Sequence, residues 1–199
     1  MKITNLPLIS GNFYHIYNRG NNRENIFYQH RNYIYFLKKY DAYLNDYLDT
    51  YAFCLLPNHF HFLVRVKDKS HFPAQSDSEE ISKTISKRFS NFFNAYAKAI
   101  NKQQNRVGSL FQKNFKRILI DNEKYLINLI FYIHANPQIH GLIDDFRDWP
   151  FSSYTKITEA KKSHLKKEEV INLFGSVKEY KLFHETKKFN LPGLRDLEG

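Results

Sequence analysis

The chain has little cysteine, methionine, tryptophan, glycine or proline: one, one, one, seven and six residues respectively in 199. A single cysteine excludes an intramolecular disulfide framework and a cysteine-based zinc cluster. Cys54 stands between Phe53 and Leu55 and reads as a buried core thiol. The shortage of glycine and proline, without any repeat, excludes collagen-like and low-complexity chains. No apolar run approaches the ~18 residues of a membrane span, and the opening MKITNLPLISGNFYH has neither the apolar stretch of a signal peptide nor a transit-peptide pattern. The expectation is a cytoplasmic protein with no membrane partner. Acidic residues are also in deficit, 20 against 30 Lys+Arg, for a formal net charge of +10. What is abundant is aromatic: 18 Phe and 14 Tyr promise a well-filled core. The length suits one domain with a small addition, and the basic balance favours a polyanionic partner, because clustered Lys and Arg release counterions from phosphates.

Hydrophobic periodicity orders the elements. Phe13 to Tyr17 reads as a strand that enters the turn-rich, basic Asn18-Arg19-Gly20-Asn21-Asn22-Arg23. Tyr33, Phe36, Leu37, Tyr40, Leu44, Tyr47 and Leu48 recur at helical spacing. Tyr51–Leu56 and Phe60–Val66 are short and β-rich, and the Pro57-Asn58 break makes them neighbouring antiparallel strands. Asp77 is placed to cap a helix with Glu80 at the capping-box position; Ile81, Ile85, Phe89, Phe92, Phe93 and Tyr96 form its apolar stripe. A strand over 115–120 and a helix from about Asp121 to Ala135 follow, the helix expected to stop near Asn136 because Pro137 comes next. The order β α β β α β α predicts an α+β fold, with helices on one face of a mainly antiparallel sheet. Beyond Trp149-Pro150 lysine rises, and two short helices are expected, one ending at Gly175 and one opened by the capping box Ser176-x-x-Glu179. The expected organisation is a domain over residues 1–154 with a helical C-terminal appendage over 155–199. The pairs Lys161-Lys162 and Lys166-Lys167 read as a solvated face.

Two motifs carry chemistry. In a strand, residues i and i+2 share a face, so His59-Phe60-His61 sets two imidazoles together and turns Phe60 into the core. Such a pair can chelate a cation, and it is costly beside a core without a partner. The second motif is the helix around Tyr132. At about 100° per residue, Leu126, Ile127, Ile130 and Ile133 gather on one side and Tyr125, Asn128, Tyr132 and Asn136 on the other. Asn136 lies one turn beyond Tyr132 and can offer an amide oxygen beside the phenol. His134 points to the apolar side and reads as structural.

Five blocks in order, Tyr14-His15-Ile16-Tyr17-Asn18-Arg19-Gly20, Leu56-Pro57-Asn58-His59-Phe60-His61-Phe62-Leu63, Gly108-Ser109-Leu110-Phe111-Gln112, Tyr132-Ile133-His134-Ala135-Asn136-Pro137 and Trp149-Pro150-Phe151-Ser152-Ser153-Tyr154, resemble the HUH single-tyrosine transposases of the IS200/IS605 type, and more closely their REP-associated branch. The resemblance spans roughly residues 13–154. It implies a ferredoxin-like or RRM-like sandwich in which His59 and His61 are paired metal ligands, Asn136 the third, and Tyr132 the nucleophile. Insertion-sequence members usually carry glutamine where this chain has Asn136, whereas the REP-associated branch has asparagine. The implied cofactor is Mg²⁺ or Mn²⁺; by softness alone, imidazoles suit Mn²⁺ or Zn²⁺. The implied substrate is single-stranded or hairpin DNA, cut and rejoined through a 5′-phosphotyrosyl intermediate, by a homodimer or a monomer.

The chemistry is consistent with those roles. A phenol with a pKa of about 10 is a weak nucleophile at neutral pH, and a divalent cation that neutralises a phosphate oxygen compensates for it. Exchange of one phosphodiester for another is nearly isoenergetic, so no ATP site is required, and no phosphate-cradling glycine-rich loop is present. Arg19, Arg23, Lys113, Lys116 and Arg117 flank the predicted elements as candidate phosphate contacts, and Phe111 and Tyr154 as candidate stacking surfaces for unpaired bases. Two other readings stay open: a catalytically silent hairpin-DNA-binding module on the same fold, and a metal-dependent hydrolase that uses water in place of Tyr132.

Overall fold

The computed structural model describes residues 6–188. Four strands, β1 (Phe13–Arg19), β2 (Leu48–Leu56), β3 (His59–Val66) and β4 (Lys116–Ile120), form one fully antiparallel sheet in the order β2-β3-β1-β4. The helices are α1 (His30–Leu44), α2 (Ser78–Gln103), α3 (Glu123–Ile139), α4 (Tyr154–Thr158), α5 (Lys167–Phe174) and α6 (Val177–Thr186). This is the expected α+β architecture, with one difference: helices cover both faces of the sheet. The strands alternate large apolar residues on each side, so each face must be buried. Tyr14, Ile16, Phe60, Phe62 and Val64 pack with Phe36 and Tyr40 of α1 and Phe89, Phe92 and Tyr96 of α2. The opposite core joins Cys54, Leu56 and Leu63 to Leu129, Ile130 and Ile133 of α3. Cys54 is indeed buried, and burial pushes its thiol pKa up. Among the described residues no helix is long and apolar enough to cross a membrane.

Several boundaries follow local chemistry. The Asp77 carboxylate accepts from the Glu80 N–H at 2.8 Å and opens α2; Ser176 accepts from the Glu179 N–H at 3.2 Å and opens α6 just after Gly175 ends α5. Other boundaries moved. α1 begins at His30 and ends at Leu44, and Leu48 belongs to β2, because the Tyr47–Leu48 end of the stripe is taken by strand pairing with Val66. α3 does not stop at Asn136 but continues through Pro137 to Ile139. Proline disfavours helical backbone in the residue before it, yet Asn136 is fully buried and the His140 N–H still bonds to its carbonyl at 3.0 Å. Packing outweighs the local preference.

The Pro57-Asn58 turn joins β2 to β3 and also fastens the loop after β1. The Pro57 carbonyl accepts from the N–H groups of Ile26 and Phe27 (2.7 and 2.9 Å), the Asn58 carbonyl accepts from the Gly20 N–H (2.8 Å), and the Asn58 amide donates to the Arg23 carbonyl (3.3 Å). A side chain at Gly20 would meet the Glu24 carbonyl oxygen at 2.1 Å, so only glycine lets the loop close this tightly. Past residue 155 the chain shares the core of the α3 side: Val170 of α5 and Tyr180 of α6 are fully buried in it. The lysine-rich segment 160–169 lines an open surface depression.

Candidate active site

The site forms where the C-terminal end of β1 and the start of β3 pass under α3. Register pairs Tyr17 with His61 and Arg19 with His59, so these four side chains share the face that looks at α3. Phe60 and Phe62 point the other way into the α1–α2 core. From above, Tyr132 lays its ring against His61 edge-on, centroids 5.8 Å apart, and Asn136 brings its amide oxygen to 3.4 Å from His59 Nε2. The four residues singled out in the two motifs are thus brought together, all of them buried.

Hydrogen bonds define which atoms face each other. The Asn58 amide donates to the Arg23 carbonyl, which leaves its oxygen to accept from His59 Nδ1–H at 2.6 Å. His59 Nε2 therefore carries a lone pair. The Asn136 amide donates to the Tyr132 carbonyl at 3.2 Å, which leaves its oxygen toward His59. Two acceptors consequently confront each other. A proton between them would relieve this, but burial and the neighbouring His140 and Arg19 lower the His59 pKa to about 3, so at neutral pH there is none. His61 is lowered well below the usual histidine value, first by burial and then by His15, His59, His140 and Arg19. Its Nδ1 lies 2.9 Å from His15 Nε2, and its Nε2 is buried without a hydrogen-bond partner. Neutral imidazoles and a carbonyl-type oxygen with uncommitted lone pairs are a donor set that suits a divalent cation. Among the described residues no three His, Cys, Asp or Glu side chains converge on one cation position, so the set rests on the amide as third donor.

The predicted basic contacts divide. Arg19 stands opposite His59, and Lys116 opposite Tyr17 with its ammonium 5.7 Å from that ring, so both flank the site. Arg117 is on the other side of the sheet, donating to Ser86 of α2 at 3.0 Å, where it lines an open groove with Lys113. Arg23 is exposed on the loop fastened by Asn58. The two aromatics proposed for base stacking are not available for it: Phe111 and Tyr154 are buried, one with Phe93 and Tyr96, the other against Phe146 and Tyr180. An aromatic beside a polar turn looks exposed in a sequence, but the large cores claim both.

Sequence reasoning missed His15, Tyr17 and His140. His15 is fully buried, stacks on Tyr17 and His61, and meets Tyr132 edge-on at 6.5 Å. Its signal was the alternation Tyr14-His15-Ile16-Tyr17, which sets His15 and Tyr17 on one face. His140 packs its ring on His59, centroids 4.9 Å apart; it lies two turns beyond Tyr132, past the expected helix end.

No family model matches the chain. A protein of Haemophilus influenzae named "Putative REP-associated tyrosine transposase" is 31% identical over 115 residues, which cover 56% of this chain and 62% of that protein. The chain thus spans about three fifths of the length of that curated relative. A solved structure of a REP-associated tyrosine transposase bound to a REP hairpin matches with a TM-score of 0.57 over 79% of this chain and 85% of that one, at 19% identity. The resemblance drawn from the motifs holds in sequence for the first and in fold for the second.

Proposed function

We propose that the chain is a metal-dependent single-strand DNA endonuclease and strand transferase that acts on hairpin DNA through a 5′-phosphotyrosyl intermediate at Tyr132. The observation that carries this reading is the confrontation of His59 Nε2 with the Asn136 oxygen, beside the unpartnered His61 Nε2 and the Tyr132 ring. Uncommitted lone pairs in a buried site are costly unless a ligand takes them up. His59, His61 and Asn136 would hold a divalent cation, Mg²⁺ or Mn²⁺, which supplies charge neutralisation at a non-bridging phosphate oxygen.

The chain's own residues do the rest. α3 sets the Tyr132 ring against His61, and in the proposed step its phenolic oxygen would form a bond to phosphorus while the bond to the 3′-oxygen breaks. The phenol gives up one proton and the departing 3′-oxygen gains one, so the exchange conserves both protons and phosphodiester bonds. Return of a 3′-hydroxyl reverses it. Arg19 and Lys116 lie where they can hold the flanking phosphates. The relative of known structure was solved with a REP hairpin, which supports hairpin DNA as the substrate class here.

The test is a denaturing gel of labelled hairpin oligonucleotides incubated with Mg²⁺ or Mn²⁺ and wild type, Tyr132→Phe or His61→Ala. The expected result is a band at protein-plus-DNA mass for wild type with metal only. Cleavage that survives Tyr132→Phe would replace this mechanism with water-driven hydrolysis. The alternative of a silent hairpin-binding module is favoured by one observation, that Tyr132 is only 2% exposed. Binding across a broad set of hairpins without adduct would select it.

A further inference from the structure

We infer that His15 is a positioning residue that accepts the Nδ1 proton of His61 and thereby leaves His61 Nε2 with the lone pair it needs to ligate. The inference rests on the metal reading above. His15 Nε2 and His61 Nδ1 are 2.9 Å apart between nearly parallel rings, so a single proton lies between two nitrogens. Two arrangements of neutral rings satisfy that contact. In one, His15 Nε2–H donates, and the proton of His61 sits on Nε2, the only nitrogen left for a ligand. In the other, His61 Nδ1–H donates to His15 Nε2, His61 Nε2 keeps its lone pair, and His15 carries its own proton on Nδ1.

Both outer nitrogens, His15 Nδ1 and His61 Nε2, are buried without partners. Each arrangement therefore leaves one N–H and one lone pair unsatisfied, and burial alone does not choose between them. A cation does, because only the second arrangement offers it a lone pair. The pair is in this sense poised, and Tyr17 stacked on His15 with centroids 4.8 Å apart keeps the ring from turning away. His59 has no such ambiguity, since the Asn58 oxygen can only accept. Imidazole ligands are commonly fixed by the bond their other nitrogen makes; here one is fixed by an amide and the other by a second imidazole.

The experiment measures Mn²⁺ affinity by calorimetry for wild type, His15→Phe, His15→Gln and His61→Ala, with metal-free melting temperatures and the His61 tautomer from ¹⁵N-histidine NMR. Phenylalanine keeps the ring but cannot accept; the glutamine oxygen can. The expected result is a ten- to hundredfold weaker affinity for His15→Phe, recovery to within about threefold for His15→Gln, melting temperatures held within a few degrees, and Nδ1–H on His61 in the loaded wild type. Wild-type affinity in His15→Phe, failure of both variants alike, or Nε2–H on His61 in the loaded protein overturns the role of His15. Absence of Mn²⁺ binding in wild type, with His61→Ala indistinguishable from it, overturns the metal reading and this inference with it.

Discussion

Two groups of buried histidines lie on opposite sides of α3, and they differ in one respect. On the outer side, Ser153 Oγ–H donates to His134 Nε2 (2.8 Å), His134 Nδ1–H to His184 Nε2 (3.0 Å), and His184 Nδ1–H to the Tyr180 carbonyl (2.8 Å). Every ring nitrogen is used, in one consistent set of neutral tautomers. On the sheet side, His15, His59, His61 and Asn136 are equally buried, yet two ring nitrogens have no partner and two acceptors face each other. Burial and depressed pKa are common to both groups, so neither marks a site. What separates them is hydrogen bonding: the outer group is fully paired, whereas the inner one keeps uncommitted ring nitrogens, which is the difference on which the proposed metal site rests.

Breaking each group tests that contrast. The largest effect is expected from His61→Ala, a loss on the order of 10³-fold in adduct formation, accompanied by a moderate fall in melting temperature because a buried ring and its bond to His15 are removed. His134→Leu should do the reverse. It strands the acceptor on His184 and costs about 3 kcal/mol in urea unfolding, while Mn²⁺ affinity stays within a few-fold of wild type.

Acid should expose the outer group through His184, whose pKa burial lowers from 6.5 to about 4. Between those values the unfolded chain binds the proton and the folded one does not, so the stability present above pH 6.5 is lost as pH falls toward 4. The loss is up to about 3 kcal/mol. Unfolding curves at pH 7.5, 6.0 and 5.0 should fall less steeply for His184→Gln. The smallest effects belong to the rim: Arg19→Ala or Lys116→Ala should weaken binding to single-stranded DNA several-fold and reduce the salt slope by about 0.7 each, measured by anisotropy at several salt concentrations.

The parts of this molecule legible in its sequence are those that one element decides alone. Period-two alternation sufficed to put His59 and His61 on one face and Phe60 on the other. The Asp77 cap and the Gly175-Ser176 boundary were equally local. His15 was not legible, because its meeting with His61 depends on β1 pairing with β3 rather than with β2, a contact across 46 residues. The burial of Phe111 and Tyr154 and the passage of α3 through Pro137 were hidden for the same reason: in each, a tertiary core overrides what the neighbouring residues prefer. The apolar side assigned to His134 was right, but its polar partners come from segments too distant to foresee.

The Pro57-Asn58 turn ties the proposed cation position to the proposed DNA contacts through one side chain. One side chain, Asn58, holds the Arg23 carbonyl with its nitrogen and the proton of His59 with its oxygen. Under the proposed function, DNA held by Arg19 at the end of β1 and by Arg23 in the following loop would pull on the same amide that orients His59. Loop and His59 thus share one mechanical joint, and for a protein that takes both DNA and a cation there, thermodynamic linkage would make the coupling reciprocal: whatever DNA did to cation affinity, the cation would do to DNA affinity by the same factor.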